Sequence, residues 1–249
     1  MSTYPVQYTS EYVEPRSRLT TFFRLVLAIP HFFLAAAYGF AAGVVIVLAW
    51  FAMIFTGRYP SGMYDFVAGF LRYQTRTYGY LFLLTDEYPP FTGSASTDYP
   101  VDLRIGPPKA QYSRAKAFFR LILAIPVFVI LYAMQIVGQI GALLAWFAIL
   151  ILGRQPQGLQ EMTDLGLSYQ QRALAYLALL TEDWPPFSGE GSAAALTPAT
   201  APGGGLDRAP ETPVHAGFIA PAAASEHSAP STAKSPPEGL AGGDPLQGA

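Results

Sequence analysis

Two long uncharged runs dominate the pattern of apolar and polar positions. After Arg24 no formal charge occurs until Arg58, and after Arg120 none occurs until Arg154. Both runs are dense in Leu, Ile, Val, Phe and Ala, a composition suited to lipid. Read as one straight helix, about 38 residues would measure roughly 57 Å. The hydrocarbon core is about 30 Å thick and about 20 residues cross it. The pattern therefore predicts a transmembrane hairpin in each run, over about 19–57 and about 115–153, giving four spans. The turns are expected at 38–43, around Gly39 and Gly43, and at 135–141, where Gly138 and Gly141 join Gln135 and Gln139. A re-entrant hairpin that stops at mid-membrane is the rival reading, because buried protein or water can satisfy backbone there. Pro30 and Pro126 sit at equal places in the two runs and predict a bend, tolerated or used as a hinge.

Each run is followed by Gly-Arg-x-Pro-x-Gly, at 57–62 and 153–158, a turn with a proline suited to a helix start. A helical pattern follows over about 60–84 and again about 156–180. Asp65, Gly69, Arg72 and Arg76 share one face of the first copy; Met63, Phe66, Val67, Phe70 and Leu81 lie around the other. In the second copy Glu161, Ser168 and Arg172 are on the polar face. Such an aromatic-rich amphipathic helix is expected in the membrane interface; packing on the hairpins as a core helix is the overlapping alternative. Gln74 and Gln170 fall within the apolar stripe, where an amide needs a partner. They are candidate buried polar contacts, with a structural bond to the hairpins weighed against a pore or ligand role.

The chain is a tandem duplication. Residues 18–93 align with 114–189 without a gap, and 33 of the 76 positions are identical. Even numbers of crossings would make the two units parallel and put every Lys and Arg of 1–189 on one side. That side would be the cytoplasm by the positive-inside rule. Arg24, Arg58, Arg120 and Arg154 are then candidate lipid-headgroup contacts. The first and third would reach out by snorkelling, since neither uncharged run offers an acid. Residues 4–13 and 99–105 predict short strands that pair or serve as extended lead-ins. Each unit closes on Thr-acid-acid-aromatic-Pro-Pro-Phe, at 85–91 and 181–187, a solvated cap with an aromatic interfacial anchor. The fold expected is all-α integral membrane, with units at 1–95 and 96–189 and a disordered Ala/Pro/Gly-rich tail over 190–249.

Composition narrows the chemistry. Only 13% of residues are charged and the formal net charge is −2, so no basic field exists for nucleic acid. The absence of cysteine removes disulfides and thiolate chemistry. The start of the chain lacks a basic n-region with an early apolar core, so the first span is expected to act as its own uncleaved insertion signal. No nucleophile-elbow, P-loop or metalloprotease motif occurs. His31 reads as a hydrogen-bonded helix residue, and Val127 stands at its place in the second copy.

Four stretches, Phe-Arg-Leu-x-Leu-Ala-Ile-Pro at 23–30, Ala-Trp-Phe-Ala at 49–52, Thr-Gly-Arg-Tyr-Pro-x-Gly at 56–62 and Leu-Leu-Thr-Asp-x-Tyr-Pro-Pro-Phe at 83–91, resemble an uncharacterised bacterial family. It is a domain of unknown function found in small integral membrane proteins. The resemblance implies a membrane location and no established activity, cofactor or site. From the residues, the expected function is a non-catalytic, multi-pass protein of the cell membrane. It would act as a scaffold or meet lipids, partner proteins or copies of itself, with its N-terminus and tail cytoplasmic. The alternative is a small transporter or channel component acting as an oligomer, and no enzyme, cofactor or metal site is expected.

Overall fold

The computed structural model describes residues 4–13, 15–95 and 98–187. The tail expected over 190–249 lies outside the described residues. In chain order the elements are β1 (Val6–Ser10), α1 (Arg18–Leu27), α2 (Ile29–Thr56), α3 (Ser61–Leu81), β2 (Val101–Ile105), α4 (Arg114–Phe118), α5 (Arg120–Leu152) and α6 (Gln157–Leu177).

The turns expected at 38–43 and 135–141 do not form. Both segments are helical throughout, inside α2 and α5, so neither apolar run is a pair of crossings. The reversal falls instead at Gly57 and Gly153, each a left-handed helix cap with φ of 71° and 73°, a conformation glycine adopts without a Cβ penalty. The return leg is the amphipathic helix. Arg120 lies over Tyr176, Gly138 beside Gly166 and Gly141 beside Thr163, so α6 runs antiparallel along α5. His31 meets Tyr73, and Tyr38 meets Phe66 and Phe70, so α3 runs the same way along α2. The glycines that looked like a turn serve close packing: a Cβ on Gly166 would stand 2.6 Å from Gly138 Cα.

Only the first of the two small helix breaks lies beside a proline: it falls at Ala28, two residues before Pro30, whereas the second falls at Phe119 and Pro126 lies within continuous α5. Backbone bonds continue across both breaks, Ala28 N–H to Arg24 and Phe32 N–H to Ala28, and likewise Phe119 to Ala115 and Leu123 to Phe119. Thus α1 with α2, and α4 with α5, each form one long rod. The rods are antiparallel. Arg18 donates to the Ile151 carbonyl and Arg16 N–H to that of Gly153. At the opposite end Tyr112 N–H donates to the Gly57 carbonyl and Trp50 Nε1 to that of Ala117. Each rod begins where the other ends.

The short strands do form, and they pair antiparallel with Gln7 opposite Arg104 and Tyr8 opposite Leu103. This ribbon covers the polar faces of α3 and α6, which are therefore sandwiched between the rods and the ribbon. Arg76, expected on a wet face, is fully buried against Asp102. The lead-ins are exchanged. The strand before the first unit lies on α6, where Tyr8 donates to Asp164 and Gln160 Nε2 to the Glu11 carbonyl. The strand before the second lies on α3, where Val101 fills the space at Gly79. The core includes Tyr8, Val67, Leu71, Leu84, Leu103, Leu167 and Leu179.

Candidate functional site

Four polar constructions stand out inside this frame. The first is built twice, at the start of each rod. Arg24 is 3% exposed and ion-pairs with Asp86 at 2.5 Å. It also donates to the carbonyls of Tyr80 and Thr85 and lies 4.4 Å above the Tyr80 ring. Arg120 repeats the arrangement, donating to the Thr181 carbonyl and lying 3.9 Å above the Tyr176 ring. These two arginines turn inward rather than out to headgroups. The acid that pairs with Arg24 is Asp86 of the closing motif, outside the uncharged run and about sixty residues further along the chain. The same acids cap the helices: Ser17 N–H donates to Asp86 at 2.7 Å and Ser113 N–H to Glu182 at 2.6 Å.

Arg58 and Arg154 behave differently. Both side chains are exposed, beside the two left-handed glycine caps, at opposite ends of the rods. Buried positive charge elsewhere is costly, and burial lowers the pKa of Arg16 below the usual arginine value. Arg16 is held by the Leu84 carbonyl at 2.7 Å, Gln160 at 3.2 Å and Gln155 at 3.3 Å.

The second construction is the pair of ribbon contacts. Arg76 binds Asp102 and the carbonyls of Thr92 and Ser94. Tyr8 donates to Asp164 at 2.7 Å, and burial raises the Asp164 pKa to about 6. Alternation in residues 4–13 and 99–105 carried a signal for the strands. Nothing local to Asp102 or Asp164 pointed to their partners, which are distant in sequence or in the other unit.

The third is an aromatic nest around His31. Its Nδ1 is 2.8 Å from the Tyr73 hydroxyl, Phe91 stacks on the ring at 4.3 Å, and Nε2 has no partner. In the second unit Val127 occupies that place, and the buried Tyr169 hydroxyl is left without a partner.

The fourth is a cleft of about 340 Å³ between the rods, which brings Gln170 to Gln135 and Gln139 beside Leu25, Phe32 and Phe82. Gln74 is not brought there; its Oε1 is buried without a hydrogen-bond partner. Gln135 and Gln139 lie within α5 rather than at a turn, and their four-residue spacing puts them on one helix face, a sequence signal for a shared cleft. Among the described residues no three His, Asp or Glu side chains converge as a metal site.

Fold and polar clusters together define a mostly helical protein of two tandem units, each carrying a helix long and apolar enough to cross a membrane, Ile29–Thr56 and Arg120–Leu152. The chain belongs to the DUF4389 family: the model of this domain of unknown function matches residues 18–93 and again 114–189. No curated protein and no solved structure matches the chain.

Proposed function

We propose that this chain is a non-catalytic membrane protein that meets lipid, or partner proteins within the lipid, through the exposed sides of its rods. One observation carries the reading. The rods expose large apolar side chains along their length, among them Phe33, Phe40, Phe55, Leu121, Val129 and Ile151, while the buried ion pairs are spent on holding the fold. The exposed arginines and lysines at the rod ends then sit at lipid headgroups, where anionic lipid favours them. Vesicle flotation after detergent removal tests both halves. The protein should float with neutral vesicles and bind anionic ones more tightly. Equal affinity removes the headgroup contact, and failure to float with either removes the membrane reading.

A channel or transporter component is the second reading, favoured by the three glutamine amides in one cleft. Polar groups at such depth commonly line a path. It requires solute flux in proteoliposomes that falls when Gln135 and Gln170 are replaced by Leu. Absence of flux for ions and small solutes ends it.

A further inference from the structure

We infer that the two rods lie in the plane of the membrane, embedded in one leaflet, with the β-ribbon facing water on the same side. This inference rests on the membrane reading above and gives it a geometry.

The layer order is the first ground. The rods form one layer, α3 and α6 the next, and the ribbon the third. The ribbon runs lengthwise over α3: Val101 meets Gly79, Asp102 meets Arg76, and the Tyr64 hydroxyl donates to the Gly106 carbonyl at 2.6 Å. The segment of β1 and the residues after it runs along α6 and the turn before it, from Tyr8 at Asp164 through Gln160 on the Glu11 carbonyl to the Tyr12 hydroxyl on the Gln155 carbonyl. Were the rods to cross the bilayer, the ribbon beside them would cross too. Its outward face carries Gln7 and Arg104, directly paired and both exposed. That would place a lipid-facing guanidinium and the open edges of a two-stranded ribbon in hydrocarbon, where irregular edges and unpaired charge are not tolerated. With the rods in plane, the same residues face water.

Length is the second ground. The uncharged stretch of each rod, residues 25–56 and 121–152, is about 48 Å long at 1.5 Å per residue. The hydrocarbon core is about 30 Å thick, so a crossing rod that kept this stretch in lipid would tilt about 50°, beyond the usual 0–40°.

Charge is the third. The antiparallel arrangement sets Arg18 and Arg154 at one end of the pair, and Arg58, Arg114 and Lys116 at the other. A crossing would send one basic set to each side, against the usual bias to one compartment. In-plane rods keep both sets at the headgroups of a single leaflet. An amphipathic slab of this kind buries its apolar face to the headgroup–acyl boundary.

The chain has no cysteine, so single-cysteine variants of the full chain read the geometry directly. Ser61→Cys and Gln157→Cys report the two rod ends, Gln7→Cys the ribbon and Phe40→Cys the apolar face; all four positions are exposed in the fold. Intact and permeabilised cells are treated with a membrane-impermeant maleimide. In-plane rods give Ser61→Cys, Gln157→Cys and Gln7→Cys the same sidedness, with extents within about twofold, and leave Phe40→Cys unlabelled in both. Labelling of the two rod ends from opposite sides, or a Gln7→Cys that stays unlabelled after permeabilisation, overturns the inference. Alkaline carbonate extraction of the unsubstituted protein separates the two failures. Release into the supernatant sinks the membrane reading and this inference with it, whereas retention with rod ends on opposite sides sinks the in-plane geometry alone.

Discussion

Tyr73 and Tyr169 occupy equivalent places in the two units, and removing their hydroxyls should have opposite consequences. The Tyr73 hydroxyl is 2.8 Å from His31 Nδ1, in a nest where His31 is fully buried and its Nε2 already lacks a partner. Tyr73→Phe leaves the imidazole with no side-chain partner on either nitrogen. A buried polar group stripped of its partner costs about 1–3 kcal/mol. For a chain of this size each kcal/mol moves Tm by about 2–4 °C, so the expected loss is roughly 2–12 °C. Tyr169 is 1% exposed, and its hydroxyl is buried without a partner because Val127 stands where His31 does in the first unit. Tyr169→Phe removes an unpaired polar atom and keeps the ring that stacks on Phe187 at 5.6 Å. It should leave Tm unchanged or raise it.

Thermal unfolding in one detergent, followed by circular dichroism, measures both variants against the unsubstituted protein. A cycle sharpens the comparison. Val127→His supplies the absent partner, so Tyr169→Phe should become costly in that background by about the amount Tyr73→Phe costs in the native one. Equal shifts for the two tyrosines, or no coupling between positions 127 and 169, would refute the reasoning.

Other outcomes follow from the same geometry. Gly166→Ala places a Cβ 2.6 Å from Gly138 Cα and should cost about 1–3 kcal/mol by forcing α5 and α6 apart, whereas Gly158→Ala, with nothing within 4 Å, should be neutral; chemical denaturation compares them. Arg24→Lys keeps the charge but cannot reach Asp86 and two carbonyls together, so it should lower stability by about 2 kcal/mol in the same assay. The Asp164 pKa is raised by burial from 3.8 to about 6, so the folded state holds its proton more tightly than the unfolded chain. That contribution favours folding below about pH 4 and is lost as pH rises from about 4 to 6, by up to about 3 kcal/mol; Asp164→Asn should flatten the profile across that window.

Much of the architecture was legible in the chain, and the errors share one cause. The duplication, both apolar runs, the amphipathic helices and the paired strands are local or periodic signals, and each is present. Length arithmetic then assumed that an apolar run longer than a bilayer must fold back on itself. A glycine cluster seemed to supply the turn, but Gly138 and Gly141 are small because α6 presses on them. Whether a glycine marks a turn or a close approach depends on a neighbour that single-sequence periodicity does not reveal. Arg24 taught the same lesson, since its acid lies in the closing motif rather than in its own run.

The duplication itself holds more information than its use as a fold signal. Where the copies agree, they repeat a structural device: the inward arginine, the acid at 86 or 182 that caps a rod, the left-handed glycine, and Arg18 or Arg114 set against the other unit's glycine. Leu83 and Leu179 belong here too, since both hold positive φ, 66° and 64°, a strain sustained because each side chain is buried. Some of the differences between the copies lie where the two units meet. Asp102 on one strand answers Arg76, while Tyr8 on the other answers Asp164, so the exchanged lead-ins are not interchangeable. Gly39 and Gly43 in one rod become Gln135 and Gln139 in the other, and only the second rod brings amides to the cleft. The cleft that holds those amides is therefore one-sided, although the frame around it is duplicated.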